Sequence, residues 1–61
     1  MCEFKVTLDG KTIFEDVVYA KNEGGKVILK SVLGASKEVE NCAIVEVDVS
    51  SERLALASIS H

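Results

Sequence analysis

Apolar and polar side chains alternate from the start of the chain. Cys2, Phe4, Val6 and Leu8 share one parity, with Glu3, Lys5, Thr7 and Asp9 between them. A period of two marks a strand with one buried face, so a first strand is predicted here, with Cys2 on the same face as Phe4. Asp9-Gly10 follows, a pair that readily takes the positive φ angles of a two-residue hairpin turn. A second strand is expected over residues 12–21. It is apolar on both parities, with Ile13, Val17 and Tyr19 on one and Phe14, Val18 and Ala20 on the other, and Glu15-Asp16 interrupts it. Such an interruption implies a bulge or a second buried surface.

Asn22-Glu23-Gly24-Gly25 reads as the next turn, residues 26–32 as the third strand and Leu33-Gly34-Ala35-Ser36 as the turn after it. A long fourth strand is predicted over 37–49. Val39, Ala43, Val45, Val47 and Val49 fall on one parity, and Glu38, Glu40, Glu46 and Asp48 on the other. That pattern gives the acidic side to solvent, with Cys42 and Ile44 as apolar exceptions on it. Ser50-Ser51-Glu52-Arg53 is the last turn, and 54–59 a short fifth strand. No helical period of useful length appears. Five strands with regular turn signals predict an all-β fold, a small five-stranded SH3-like or Sm-like barrel built from consecutive hairpins, in which closure protects the edges.

Size narrows the picture. A chain of 61 residues without proline or tryptophan has apolar side chains for one core only, so residues 1–61 are expected to form a single domain. A domain of this length buries roughly 60% of the surface of its unfolded chain, and such domains commonly add a disulfide, a metal or a partner chain. Two cysteines, Cys2 and Cys42, could make one bridge. Met1 is followed directly by strand alternation rather than a secretory leader, so a reducing cytoplasmic location is expected. No apolar run approaches the ~20 residues that span a bilayer, and membrane attachment is not expected.

Charge removes further classes. Seven basic residues against ten acidic ones leave a formal net charge of −3, and the basic residues stand singly along the chain. No stripe for phosphates results, so nucleic-acid binding is not expected. There is no Ser-His-Asp set, no glycine-rich phosphate loop and a single histidine, His61, and an enzyme is not expected.

Several short segments together resemble the CooT family: Met1-Cys2-Glu3, Lys5-Val6, Glu15-Asp16-Val17, Gly25-Lys26-Val27-Ile28-Leu29, Gly34 with Lys37-Glu38-Val39, and Glu46-Val47-Asp48. The most informative is the cysteine directly after the initiator methionine, followed by an acidic residue and then Lys-Val. The resemblance spans nearly the whole chain. It implies a small barrel that forms a homodimer, with nickel held at the dimer interface by Cys2 of both chains. It also implies a metallochaperone part in nickel delivery to carbon monoxide dehydrogenase.

Position suits Cys2 to that role. A thiolate is a soft ligand, and with backbone or terminal nitrogens it matches square-planar Ni(II) or Cu(II), whereas zinc would want four His and Cys ligands. The Cys2 sulfur and backbone nitrogen, with the terminal amine of Cys2 or of Met1, close five-membered chelate rings. Two chains giving one sulfur and one nitrogen each complete four-coordinate N2S2 ligation, and the Glu3 backbone nitrogen is the next candidate donor. Affinity should fall with pH, because both donor types bind deprotonated.

Other features take plainer readings. Cys42 is expected as a small buried hydrophobe, His61 as a terminal residue outside the site, and the Glu38, Glu40, Glu46, Asp48 run as a solvated strand face. Phe14, Val18, Ile28, Val32 and Ile44 form the candidate dimer surface. The alternative to a nickel protein is a small-barrel module that recognises RNA or a protein partner, with no metal role.

Overall fold

The computed structural model describes residues 3–59. Six strands form one antiparallel-rich sheet: β1 (Phe4–Leu8), β2 (Lys11–Glu23), β3 (Lys26–Ser31), β4 (Ser36–Glu40), β5 (Cys42–Asp48) and β6 (Arg53–Ser58). Their order across the sheet is β4-β3-β2-β1-β6-β5. The all-β expectation holds, but there are six strands rather than five, and the sheet is open rather than a closed barrel. Its two edge strands, β4 and β5, are consecutive in sequence and joined by Asn41 alone. A one-residue link between opposite edges forces the sheet to curl.

Local chemistry explains the hairpins. Leu8 pairs with Lys11 across Asp9-Gly10, whose φ angles are 51° and 89°, and Glu23 pairs with Lys26 across Gly24-Gly25, at 52° and 85°. Both are two-residue loops with two positive φ values, the turn that matches strand twist. The expected second turn is thus shorter than Asn22-Glu23-Gly24-Gly25, since Asn22 and Glu23 belong to β2.

The bulge implied by Glu15-Asp16 is present. Phe4 pairs with Val17 and Val6 with Phe14, so β2 carries an extra residue there, and Asp16 has φ 58°. A second extra residue lies between Thr12 and Phe14 and a third between Val17 and Tyr19. Each bulge bends its strand and raises the local twist. The lower part of β2 pairs with β1, the upper part, from Val17 onward, with β3.

The expected fourth strand, 37–49, is broken. Asn41 takes φ 58°, a conformation asparagine tolerates better than most side chains, and the strand splits into β4 and β5. The break inverts the facing that simple alternation assigns. Cys42 is buried, 1% exposed, and Ile44 packs on the core, while Val45, Val47 and Val49 are 62%, 57% and 63% exposed. A further bulge between Ile44 and Glu46 shifts the register again.

The core is Val6, Val17, Val27, Leu29, Cys42, Leu54 and Leu56, with Phe4, Leu8, Val39 and Ile44 packed against it. It lies in the concave side of the curl. At one end β5 is fastened across the gap: the Cys42 N–H donates to the Gly25 carbonyl at 3.2 Å and the Ile44 N–H to Asn22 Oδ1 at 3.1 Å. The Ile59 N–H closes onto the Asn41 carbonyl at 3.0 Å. No helix is long and apolar enough to cross a membrane among the described residues.

Candidate functional site

Cys2, the principal ligand expected from the sequence, lies outside the described residues, as does His61. The site is therefore built from what Cys2 is joined to. Glu3 is exposed and leads directly into β1. That strand is held on both sides, antiparallel to β2 and parallel to β6, with Lys5 opposite Arg53 and Val6 opposite Leu54. The Lys5 N–H donates to the Glu52 carbonyl at 2.9 Å. The residue preceding Glu3 is thus joined to a strand paired along both of its edges.

Two different surfaces meet at this point. On one side an open groove of about 550 Å³ is lined by Glu3, Lys5, Glu15, Asp16, Glu52 and Arg53, among others. Four carboxylates against two cations make it acidic. The bulge at Asp16 and the turn at Glu52, with φ 58° and 54°, bring these side chains to its rim. On the other side Phe4 borders a cleft of about 230 Å³ whose remaining lining comes from β2, β5 and Leu54 and includes no charged residue.

The turn beside the acidic groove is itself ordered by a carboxylate. The Ser51 N–H and hydroxyl donate to Asp48 at 3.2 and 3.0 Å, and Arg53 stands 4.0 Å away. The Ser51 backbone N–H first, then its hydroxyl, holds the Asp48 carboxyl below its ordinary value. At the far end of β1 the Ser58 hydroxyl and N–H donate to Asp9 at 2.6 and 3.1 Å. They hold that carboxyl down in the same way, the hydroxyl contributing most. The end of β1 is thereby tied to Ser58 at the end of β6, as the Lys5–Glu52 backbone bond ties its start to the turn before β6.

The second thiol is unsuited to metal. Cys42 is a free, buried cysteine whose Sγ donates to the Val39 carbonyl at 3.3 Å. Burial pushes the thiol up, toward the protonated form, and only the thiolate is a good ligand. This agrees with its expected role as a core residue. Among the described residues no group of three or more His, Cys, Asp or Glu is placed to hold a metal ion. The carboxylates of the acidic groove line a wide surface rather than a coordination sphere.

The family model described as CO dehydrogenase accessory protein CooT matches residues 1–57. The chain belongs to the CooT family. The match covers Cys2 and every strand, ending one residue short of the end of β6. No curated protein matches the chain. Within this CooT-family fold, the expected site residues divide sharply. Glu3 stands exposed at the head of β1, whereas Cys42 is withdrawn into the core. The expected dimer surface divides as well: Val18 and Val32 are exposed, but Phe14 and Ile44 pack on the core and Ile28 is half-buried. Val47, which the alternation places on the inward valine parity, is exposed. Its only sequence signal is its place after the bulge, and bulges leave little trace in a sequence of valines and acids.

Proposed function

We propose that this protein is a nickel-binding accessory factor for CO dehydrogenase, a homodimer that holds Ni(II) between its two chains through Cys2 and delivers it to the enzyme precursor. The observation that carries this reading is the family match, which begins at Met1 and so takes in Cys2. In this reading each chain contributes one thiolate and one backbone or terminal nitrogen, with the Glu3 nitrogen as a further donor. The fold supports it in two ways. The start of the chain is attached to a strand braced on both sides, which limits the freedom lost when the metal binds. The other thiol is kept protonated in the core, which leaves Cys2 without a competitor in the same chain.

Electrostatics weigh against the RNA-binding alternative. Lys21 pairs with Glu23 at 3.2 Å and Lys26 with Glu38 at 3.4 Å, and Lys30 lies over the Tyr19 ring at 4.8 Å. Three of the seven basic side chains are engaged locally in this way, which leaves them less free for phosphates.

The test is a nickel titration of the reduced protein, followed by absorption for a sulfur-to-nickel charge-transfer band and by native mass for stoichiometry, with Cys2→Ser in parallel. Saturation at one nickel per two chains, lost in Cys2→Ser, is the expected result. Absence of the band, or binding indifferent to Cys2, overturns the reading in favour of a plain binding module. Affinity should also rise between about pH 6 and pH 8.5 as the ligands deprotonate.

A further inference from the structure

Strand β5 separates from β2 as it runs from Cys42 toward Asp48. At Cys42 and Ile44 it is hydrogen-bonded across the gap to Gly25 and Asn22. By Val47 the concave side is open to solvent. Val17 and Leu54, 2% and 5% exposed, form the floor of the cleft there, and Val18, Tyr19 and Val47, 47%, 44% and 57% exposed, form its lips.

We propose that this cleft is the surface on which a second copy of the chain docks, so that Phe4, Val18, Ile44 and Val47 of each protomer face the other across a two-fold axis. The inference rests on the nickel-dimer reading and assigns its interface. Continuity is the first reason. Phe4 borders the cleft and is two residues from Cys2, so a two-fold axis close to Phe4 draws the two chain starts together, as a shared metal requires.

Charge is the second reason. Each copy carries a net charge of −3, and two like-charged chains associate most readily where neither presents charge. The cleft lining is uncharged, while the groove beside it presents Glu3, Glu15, Asp16 and Glu52. A competing apolar surface, Val32 and Leu33 on the β3–β4 turn, is 39% and 86% exposed. It is tied to that groove, since the Val32 N–H donates to the Asp16 carbonyl at 2.8 Å. A copy approaching there meets the acidic side of its partner.

Size is consistent with this placement. A standard interface covers about 800 Å² per partner, roughly a fifth of the 4011 Å² that the protein exposes. A patch that large, centred on the cleft, extends to the head of β1.

The test uses the full chain, with and without nickel, in sedimentation velocity, comparing wild type with Val47→Glu, Val18→Glu and the control Leu33→Glu. Isotope-filtered NOE spectra of mixed labelled and unlabelled wild-type chains give the interface without any substitution. The expected result is a wild-type dimer with intermolecular NOEs among Phe4, Val18 and Val47, weakened at least tenfold by either cleft substitution and unchanged in Leu33→Glu. A wild-type dimer whose intermolecular NOEs fall on Val32 and Leu33 overturns the assignment and leaves the nickel reading standing. So does a folded Val47→Glu protein that dimerises as wild type does. A wild type that stays monomeric with and without nickel overturns both.

Discussion

The two ends of β5 are built from the same kind of side chain and have opposite fates. At Cys42 the strand is pinned to the β2–β3 hairpin by a backbone hydrogen bond and the Asn22 side chain, and the residues beneath, Val27 and Leu29, are fully buried. At Val47 no such fastening is made among the described residues, and valines stand more than half exposed. Hydrophobicity alone therefore does not decide burial here. What decides it is whether the backbone donors of an edge strand find acceptors across the gap, because unmatched edges stay in water and keep their neighbours there.

The contrast can be broken from the closed end. Leu29→Ala, at a site with 0% exposure, should cost about 3 kcal/mol, enough to unfold a large fraction of so small a domain. Val47→Ala should lie within about 0.5 kcal/mol of wild type when the chain is monomeric. Urea denaturation at low protein concentration compares the two, and equal losses would mean the ends are packed alike.

A smaller effect sharpens the role of the fastening. Asn22→Ala removes the acceptor of the Ile44 N–H and should cost about 1 kcal/mol. In hydrogen exchange, the Ile44 amide should lose protection while Val6 and Val27 keep theirs. Retained protection at Ile44 would show that the side chain does not hold the strand.

The smallest effect lies at the same end of the sheet, where Asp9 meets Ser58, and depends on pH. The Asp9 carboxyl is held below its ordinary value of 3.8 by Ser58, so its contribution to stability is complete above that value. It is lost as pH falls through the lower, folded-state value. Asp9→Asn should flatten the acid limb of a melting-temperature profile below about pH 4, with little change near neutrality beyond a uniform offset. An acid limb identical to wild type would assign that limb elsewhere, to Asp48 first.

Much of this fold is legible in the sequence where turns carry their own chemistry. Asp9-Gly10 and Gly24-Gly25 announce hairpins because few other pairs accept two positive φ angles, and Glu15-Asp16 announces a bulge because charge interrupts a run that is apolar on both parities. The break at Asn41 is not legible. Its only trace is that Cys42 and Ile44 stand on the acidic parity, and one left-handed residue turns those two to the core before the bulge after Ile44 shifts the register again. Val45, Val47 and Val49 are consequently exposed, Val39 before the break packs on the core, and Cys42 and Ile44 lie inside. The closed barrel was expected because five paired strands remove edges. The observed sheet instead leaves part of its gap open, where three extra residues in β2 curl the sheet without bringing its two edges into register. The acidic groove beside Glu3 was also hidden, since Glu15, Asp16 and Glu52 come together only through pairing between distant strands. Cys2 stood out because of its place in the chain, and it lies outside the described residues.

The parallel pairing of β1 with β6 also sets an order of events in time. Lys5 meets Arg53 and Leu8 meets Leu56, so the first strand to be synthesised acquires one of its two neighbours only when the last has emerged. Contacts of such long sequence separation form late and slow folding. The hairpins of β2, β3 and β4 can assemble while the head of the chain is still tethered on one side only. Strand β1 gains its second neighbour as the final step, so the sheet is complete only in a finished polypeptide and not in a nascent one.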